Sequence, residues 1–124
     1  MSALKVLLQP ASIAVIGDCE KAGELGHEVV ANLRAGEFAG PIFPSALLVE
    51  GAQPWPAAPD LVMLCTPAEQ VPEQMRRAGE RGARAAVVMA RDPDGEQAAT
   101  PLKQAIDAVA NRYGIRWLGP NAAG

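Results

Sequence analysis

The residues of this sequence with the most chemical potential lie in a glycine-punctuated stretch, Gly17-Asp-Cys-Glu-Lys-Ala-Gly23-Glu-Leu-Gly26. It follows the apolar run Ser12–Ile16 and leads into a segment of helical periodicity. Glycines placed between a strand and a helix let backbone amides approach a phosphate at the positive helix N-terminus. The spacing is not G-x-G-x-x-G, because the second glycine arrives six residues after the first. It is not a P-loop either, since no Gly-Lys-Ser/Thr closes it. An NAD site calls for an acidic residue at the end of the second strand, near Ser45 or Ala46, and none stands there. Two readings of these glycines stay open: a phosphate cradle, or a tight strand-to-helix turn that serves packing alone.

The other chemistry-bearing residues read as structural. His27, the sole histidine, follows Gly26 and reads as a surface or capping residue, so no Ser-His-Asp or Cys-His pairing can be argued. Cys19 and Cys65 each sit at or just beyond a strand end. If the first and third strands are neighbours, the two sulfurs lie close, but in a reducing compartment they read as unconnected thiols. Asp92, Asp94 and Gly95 resemble a turn, and two acidic residues are too few for a metal site. Arg76, Arg77, Arg81 and Arg84 read as a solvated helix end, and Trp55 as an anchor holding an irregular loop over the core.

The elements that must position these residues alternate in type. Ser12–Ile16, Leu61–Cys65 and Ala85–Met89 are continuous apolar runs, the mark of strands buried on both faces of a parallel sheet. Pro41–Pro44 and Arg116–Leu118 are shorter and belong nearer the edges, since proline is poorly tolerated in central strands. Three helices fit between them. Leu25, Val29 and Leu33 form one stripe, closed by Gly36. Val71 to Arg81 has Pro72 in its first turn, arginines late and Gly82 as a cap. The third carries Leu102, Ile106, Val109 and Tyr113, with Thr100 as N-cap, Pro101 as first helical residue and Gly114 as stop. Pro44 to Leu61 lacks helical periodicity and reads as irregular. This alternation predicts an α/β fold, a doubly wound and mainly parallel sheet of about five strands with helices on both faces. Ligands of such sheets bind beyond the carboxyl ends of the strands. Three loops lie there: Gly17–Gly26, Pro44–Leu48 and Thr66–Gln70.

Composition sets the outer bounds. The 124 residues are 49% hydrophobic and suit one domain with one core. A net charge of −3 without a basic run argues against a nucleic-acid or anionic-membrane partner. No apolar run approaches the roughly 18 residues needed to cross a bilayer. Met1 to Pro10 does not read as a signal peptide, and with two cysteines a cytoplasmic setting is expected.

On specific residues the chain resembles a known family. Leu8-Gln-Pro10-Ala-Ser12-Ile-Ala-Val-Ile-Gly17 is similar to the opening of NDP-forming acyl-CoA synthetases and their succinyl-CoA synthetase α-subunit relatives. Gly23, Gly26, Asn32-Leu33, Gly36 and Phe38-Ala-Gly40-Pro-Ile-Phe-Pro44 follow in order. Asp60-Leu-Val-Met-Leu-Cys-Thr-Pro67-Ala68 with Val71-Pro72 resembles the third strand and its loop. Tyr113-Gly-Ile-Arg-Trp-Leu-Gly119-Pro120-Asn121 with Gly124 resembles the signature that ends the domain.

The resemblance implies a Rossmann-like CoA-binding domain over residues 1–124, of a kind also linked to acetyltransferase modules in multidomain proteins. It implies CoA or acyl-CoA as ligand, and other domains or subunits of a synthetase or acetyltransferase as partners. The parent activity is that of an acid–thiol ligase. The phosphohistidine and nucleotide-grasp domains that complete such enzymes have no counterpart in this sequence, so the chain alone is expected to catalyse nothing. It is either a piece of a longer protein or a reduced, stand-alone relative.

Carried over by position, the family's contacts fall on Gly17, Asp18, Cys19, Glu20, Lys21, Ala22, Gly23 and Gly26 in the first loop. They continue at Phe43, Pro44 and Leu48 in the second and at Thr66 and Pro67 in the third. The sequence also departs from the pattern. Asp18 and Cys19 replace Ala-Ser, while Ala22 and Glu24 stand where Pro and Lys are usual. Ser45 to Leu48 replaces Val-Asn-Pro-Lys, and Ala122 replaces a cysteine. Charge-assisted contacts to phosphate are the strong ones, so the exchange of Lys for Glu24 matters. A scaffold or interaction domain with a decayed pocket is therefore the second reading, and a nucleotide- or NAD-responsive regulator the third.

Overall fold

The computed structural model describes residues 10–53, 55–89 and 96–119, with backbone alone for 96–100. Leu8, Pro54, the Asp92–Gly95 turn and the Pro120–Gly124 part of the closing signature lie outside the described residues.

Five strands form one parallel sheet: β1 (Ile13–Gly17), β2 (Ile42–Ser45), β3 (Leu61–Cys65), β4 (Ala85–Val88) and β5 (Arg116–Leu118). Their spatial order is β2-β1-β3-β4-β5. The two proline- or charge-bearing strands take the edges, as their sequences predict. Every residue of β1 is buried, which is what a continuous apolar run at the centre of a sheet requires. Ile13 pairs with both Ile42 and Leu61, and the register runs on until Gly17 faces Cys65.

Helix α1 (Leu25–Ala35) covers one face, packing Val29 and Val30, with Leu25 and Leu33 beside them, onto Ile13, Val15, Leu61 and Cys65. Helices α2 (Val71–Glu80) and α3 (Glu96–Tyr113) cover the other. There Val71, Met75, Ile106 and Ala110 pack on Ala14, Ile16, Val62 and Leu64. Ile16, Leu64 and Met75 are all below 2% exposed, and burying each such side chain contributes about 1.5–3 kcal/mol. The fold is α/β, doubly wound and Rossmann-like, with crossovers carried on both sides of the sheet.

Two local details differ from the sequence expectation. Helix α3 begins at Glu96, so Thr100 is not its N-cap and Pro101 lies inside it. Glu96, Gln97, Ala98 and Ala99 are good helix formers, and a proline near the N-terminal end removes only one ladder hydrogen bond. The connection from β2 to β3 is irregular, as expected, yet firmly held. Trp55, at 3% exposed, packs in the core with Leu48. Arg81 spans from α2 to that connection, donating to the Ala52 carbonyl at 2.6 Å and the Val49 carbonyl at 2.8 Å. Arg84 donates to the carbonyls of Gly79 and Ala83. Arg76 and Arg77 pair with carboxylates of their own helix, Glu73 and Glu80. The four arginines thus brace α2 and its surroundings.

Candidate functional site: a crevice at the carboxyl ends of β1 and β3

A β2-β1-β3 order means that the chain winds one way from β1 to β2 and the other from β1 to β3. The connections leave the sheet in opposite directions at that point, opening a crevice beyond the strand ends. Gly17, the last residue of β1, forms its floor. A Cβ built there would stand 2.5 Å from the Cys65 carbonyl oxygen, so only glycine lets β1 and β3 finish this close together. Gly26 serves the same end in the first turn of α1, where a Cβ would come within 3.0 Å of the Asp18 carbonyl.

The loop between these glycines folds back on the helix it precedes. The His27 amide donates to the Asp18 carbonyl at 3.1 Å, and the Glu24 amide to that of Lys21 at 3.1 Å. The Leu25 and Gly26 amides belong to the first turn, where an α-helix supplies no acceptor of its own. The Cys19 thiol turns inward and donates to the carbonyls of Val15 at 3.6 Å and Ser45 at 3.8 Å, tying the loop to β1 and β2.

Two adjoining hollows make up the crevice. The smaller, about 360 Å³, is lined by Gly17, Asp18, Cys19, Glu20 and Pro44, with Ser45, Ala46 and Leu47. The larger, about 640 Å³, is lined by Gly17, Asp18, Gly23, Gly26, Thr66 and Pro67, with Glu24, Leu25, Glu28, Leu47, Cys65 and Gln70. Nine residues marked from the sequence therefore meet around one opening: Gly17, Asp18, Cys19, Glu20, Gly23, Gly26, Pro44, Thr66 and Pro67.

Four others do not line it. Lys21 and Ala22 are exposed on the outer side of the loop. Phe43 packs against the core, and Leu48 is buried in it at 3% exposed. The crevice-facing residue of that loop is Leu47, 40% exposed, at a bend after which Leu48 turns into the core. Glu28 lies outside the three loops marked from the sequence, yet it lines the larger hollow. Glu28 was legible, one helical turn beyond Glu24 on the same face. Gln70, the last residue of the third loop, is brought over the opening by a short 3₁₀ turn, Ala68–Gln70.

The electrostatics of the crevice are acidic. Asp18, Glu24 and Glu28 line the larger hollow, and no Lys or Arg lines either hollow among the described residues. Lys21 pairs with Glu24 at 3.9 Å. Both thiols are held protonated. Burial pushes the Cys65 thiol up to about 12, helped by the neighbouring Cys19, and burial raises Cys19 as well. Neither is a nucleophile at neutral pH. The Gln70 side-chain oxygen is buried without a hydrogen-bond partner among the described residues, as is Nδ1 of His27. No group of metal-ligating side chains occurs among the described residues. The arrangement is one for holding a ligand, with backbone amides and small residues on one wall and Leu47, Thr66 and Pro67 on the other.

A family model described as "CoA binding domain" matches residues 11–124. Acetate–CoA ligase [ADP-forming] II of Archaeoglobus fulgidus is 31% identical over 132 residues, covering 98% of this chain and 20% of that protein. The α subunit of acetate–CoA ligase [ADP-forming] I from Pyrococcus furiosus is 26% identical over 136 residues, covering 98% of this chain and 29% of that protein. Among solved structures, a dinucleotide-forming acetyl-coenzyme A synthetase 1 of Ca. Korarchaeum cryptofilum, in complex with phosphate and ADP, superposes with a TM-score of 0.78. It is 27% identical and the match covers 95% of this chain and 27% of that one. The chain thus spans less than a third of the length of these relatives. On the match across nearly its whole length, the chain belongs to the CoA binding domain family, homologous to the N-terminal part of NDP-forming acetyl-CoA synthetases.

Proposed function

We propose that this domain binds CoA or an acyl-CoA in the crevice beyond β1 and β3, as the CoA-binding module of an NDP-forming acyl-CoA synthetase-like or acetyltransferase-linked protein. The observation that supports this most is the coincidence of two facts. The larger hollow lies at the switch point of the sheet, and it is built from the glycine loop of a CoA binding domain. Its floor is Gly17, which lines both hollows at the point where β1 and β3 end side by side. The amides of Leu25 and Gly26 would hold phosphate oxygens, while Pro44, Thr66 and Pro67 would wall the nucleotide. Acid–thiol ligation would then belong to further domains or subunits acting with this one. This chain's part would be ligand binding, with both thiols held protonated by burial.

A second reading is a scaffold domain that has lost its ligand. The specific observation behind it is the carboxylate lining of the larger hollow. A thermal-shift panel separates the readings, because only a ligand that prefers the folded state raises the midpoint. CoA and acetyl-CoA are expected to raise it. Shifts with NAD or ADP but not CoA would point to a nucleotide regulator, and a flat panel to a scaffold.

A further inference from the structure

Three carboxylates, Asp18, Glu24 and Glu28, line a hollow of about 640 Å³ that no Lys or Arg lines among the described residues. A sphere of that volume is about 11 Å across, comparable with the Debye length of about 10 Å at 0.1 M salt. A phosphate seated in it therefore feels all three charges, weakened by salt but not removed. Lys21 offsets Glu24 only in part, because its ammonium lies 3.9 Å away on a side chain that is 71% exposed.

We infer that this site is charge-selective: it holds its ligand against a repulsive field to which Asp18, Glu24 and Glu28 all contribute. The inference rests on the CoA reading above and deepens it. Neutral contacts, the first-turn amides of α1 and the walls formed by Leu47 and Pro67, supply the attraction. The carboxylates then penalise each added negative charge. Within the CoA class, the form lacking the 3′-phosphate gains on CoA itself. Affinity rises with salt, the reverse of a phosphate site built from lysines and arginines.

The test is isothermal titration of the purified chain with CoA and with 3′-dephospho-CoA at 0.05 M and 0.5 M sodium chloride. The Kd for CoA is expected to fall about threefold at the higher salt, and dephospho-CoA to bind at least as tightly as CoA at the lower. Glu24→Gln is expected to tighten CoA about threefold at low salt and to flatten the salt dependence. Glu37→Gln, beyond the far end of α1, is expected to change neither. CoA binding that weakens with salt, or a Glu24→Gln variant no tighter than the parent, overturns charge selectivity and leaves the CoA reading intact. No heat with CoA at any salt concentration overturns the CoA reading and this inference with it.

Discussion

The side-chain amide of Gln74 closes on both backbone groups of Leu48. The Leu48 amide donates to Gln74 Oε1 at 2.7 Å, and Gln74 Nε2 donates to the Leu48 carbonyl at 3.1 Å. Gln74 is 5% exposed and Leu48 3%, so the pair stands where water does not compete. A residue of α2 thereby takes the place of a strand neighbour for the β2–β3 connection. It fixes Leu48 in the core and so holds its neighbour Leu47 over the crevice.

Gln74→Met keeps the volume and removes both partners. It is expected to leave the Leu48 amide and carbonyl buried and unpaired, at about 2–4 kcal/mol of stability by urea denaturation. Ligand affinity is expected to fall with it, since Leu47 loses its support. A variant within 0.5 kcal/mol of the parent would show that the clamp carries no weight, given that surface changes fall within about ±0.5 kcal/mol.

Arg81 holds the same connection further along through the carbonyls of Val49 and Ala52. Lysine keeps the charge and loses the fork that reaches both acceptors. Arg81→Lys is expected to cost about 1–2 kcal/mol and to speed limited proteolysis between residues 46 and 58. Unchanged cleavage rates would contradict that role.

At the crevice floor, Gly17→Ala must push its Cβ against the Cys65 carbonyl oxygen. The strand ends have to part, so a loss of about 2–4 kcal/mol is expected, with CoA binding abolished before folding is. Calorimetric melting and titration of the same sample report the two effects separately. Full affinity in a folded variant would mean that the ligand does not approach β1.

Cys65 predicts a pH dependence. Burial, and then the charge of Cys19, raise its thiol to about 12 from an ordinary value of 9.0. The folded state therefore keeps a proton that the unfolded chain gives up above pH 9. The stabilisation is complete below pH 9 and is lost as pH climbs towards 12, at a slope of at most about 1.4 kcal/mol per pH unit. Cys65→Ala is expected to shallow the fall in urea midpoint between pH 8 and pH 10.5. Parallel curves for parent and variant would remove the thiol from the account.

Much of this was written locally in the sequence. Continuous apolar runs marked β1, β3 and β4, because strands covered on both sides bear apolar residues at every position. The proline in β2 placed it at an edge, and the glycines bracketing the first loop marked the crevice. What escaped depends on contacts between distant residues. Nothing within a turn of Gln74 says that it will bind a backbone 26 positions away. The sequence pattern does not separate Leu47 from Leu48, because which of them enters the core is fixed only when Trp55 and Gln74 close over the loop. The start of α3 was misplaced because Thr100-Pro101 carries a strong local signal that four helix-forming residues upstream override.

The central claim is that CoA occupies the crevice beyond β1 and β3. Amide NMR of the labelled chain, titrated with CoA to millimolar concentration, tests it most directly. The prediction is saturable shifts concentrated on Gly17, Asp18, Gly23 to Gly26 and Thr66, with α3 and β5 unmoved. A spectrum that does not change, or shifts that gather elsewhere on the domain, would contradict it.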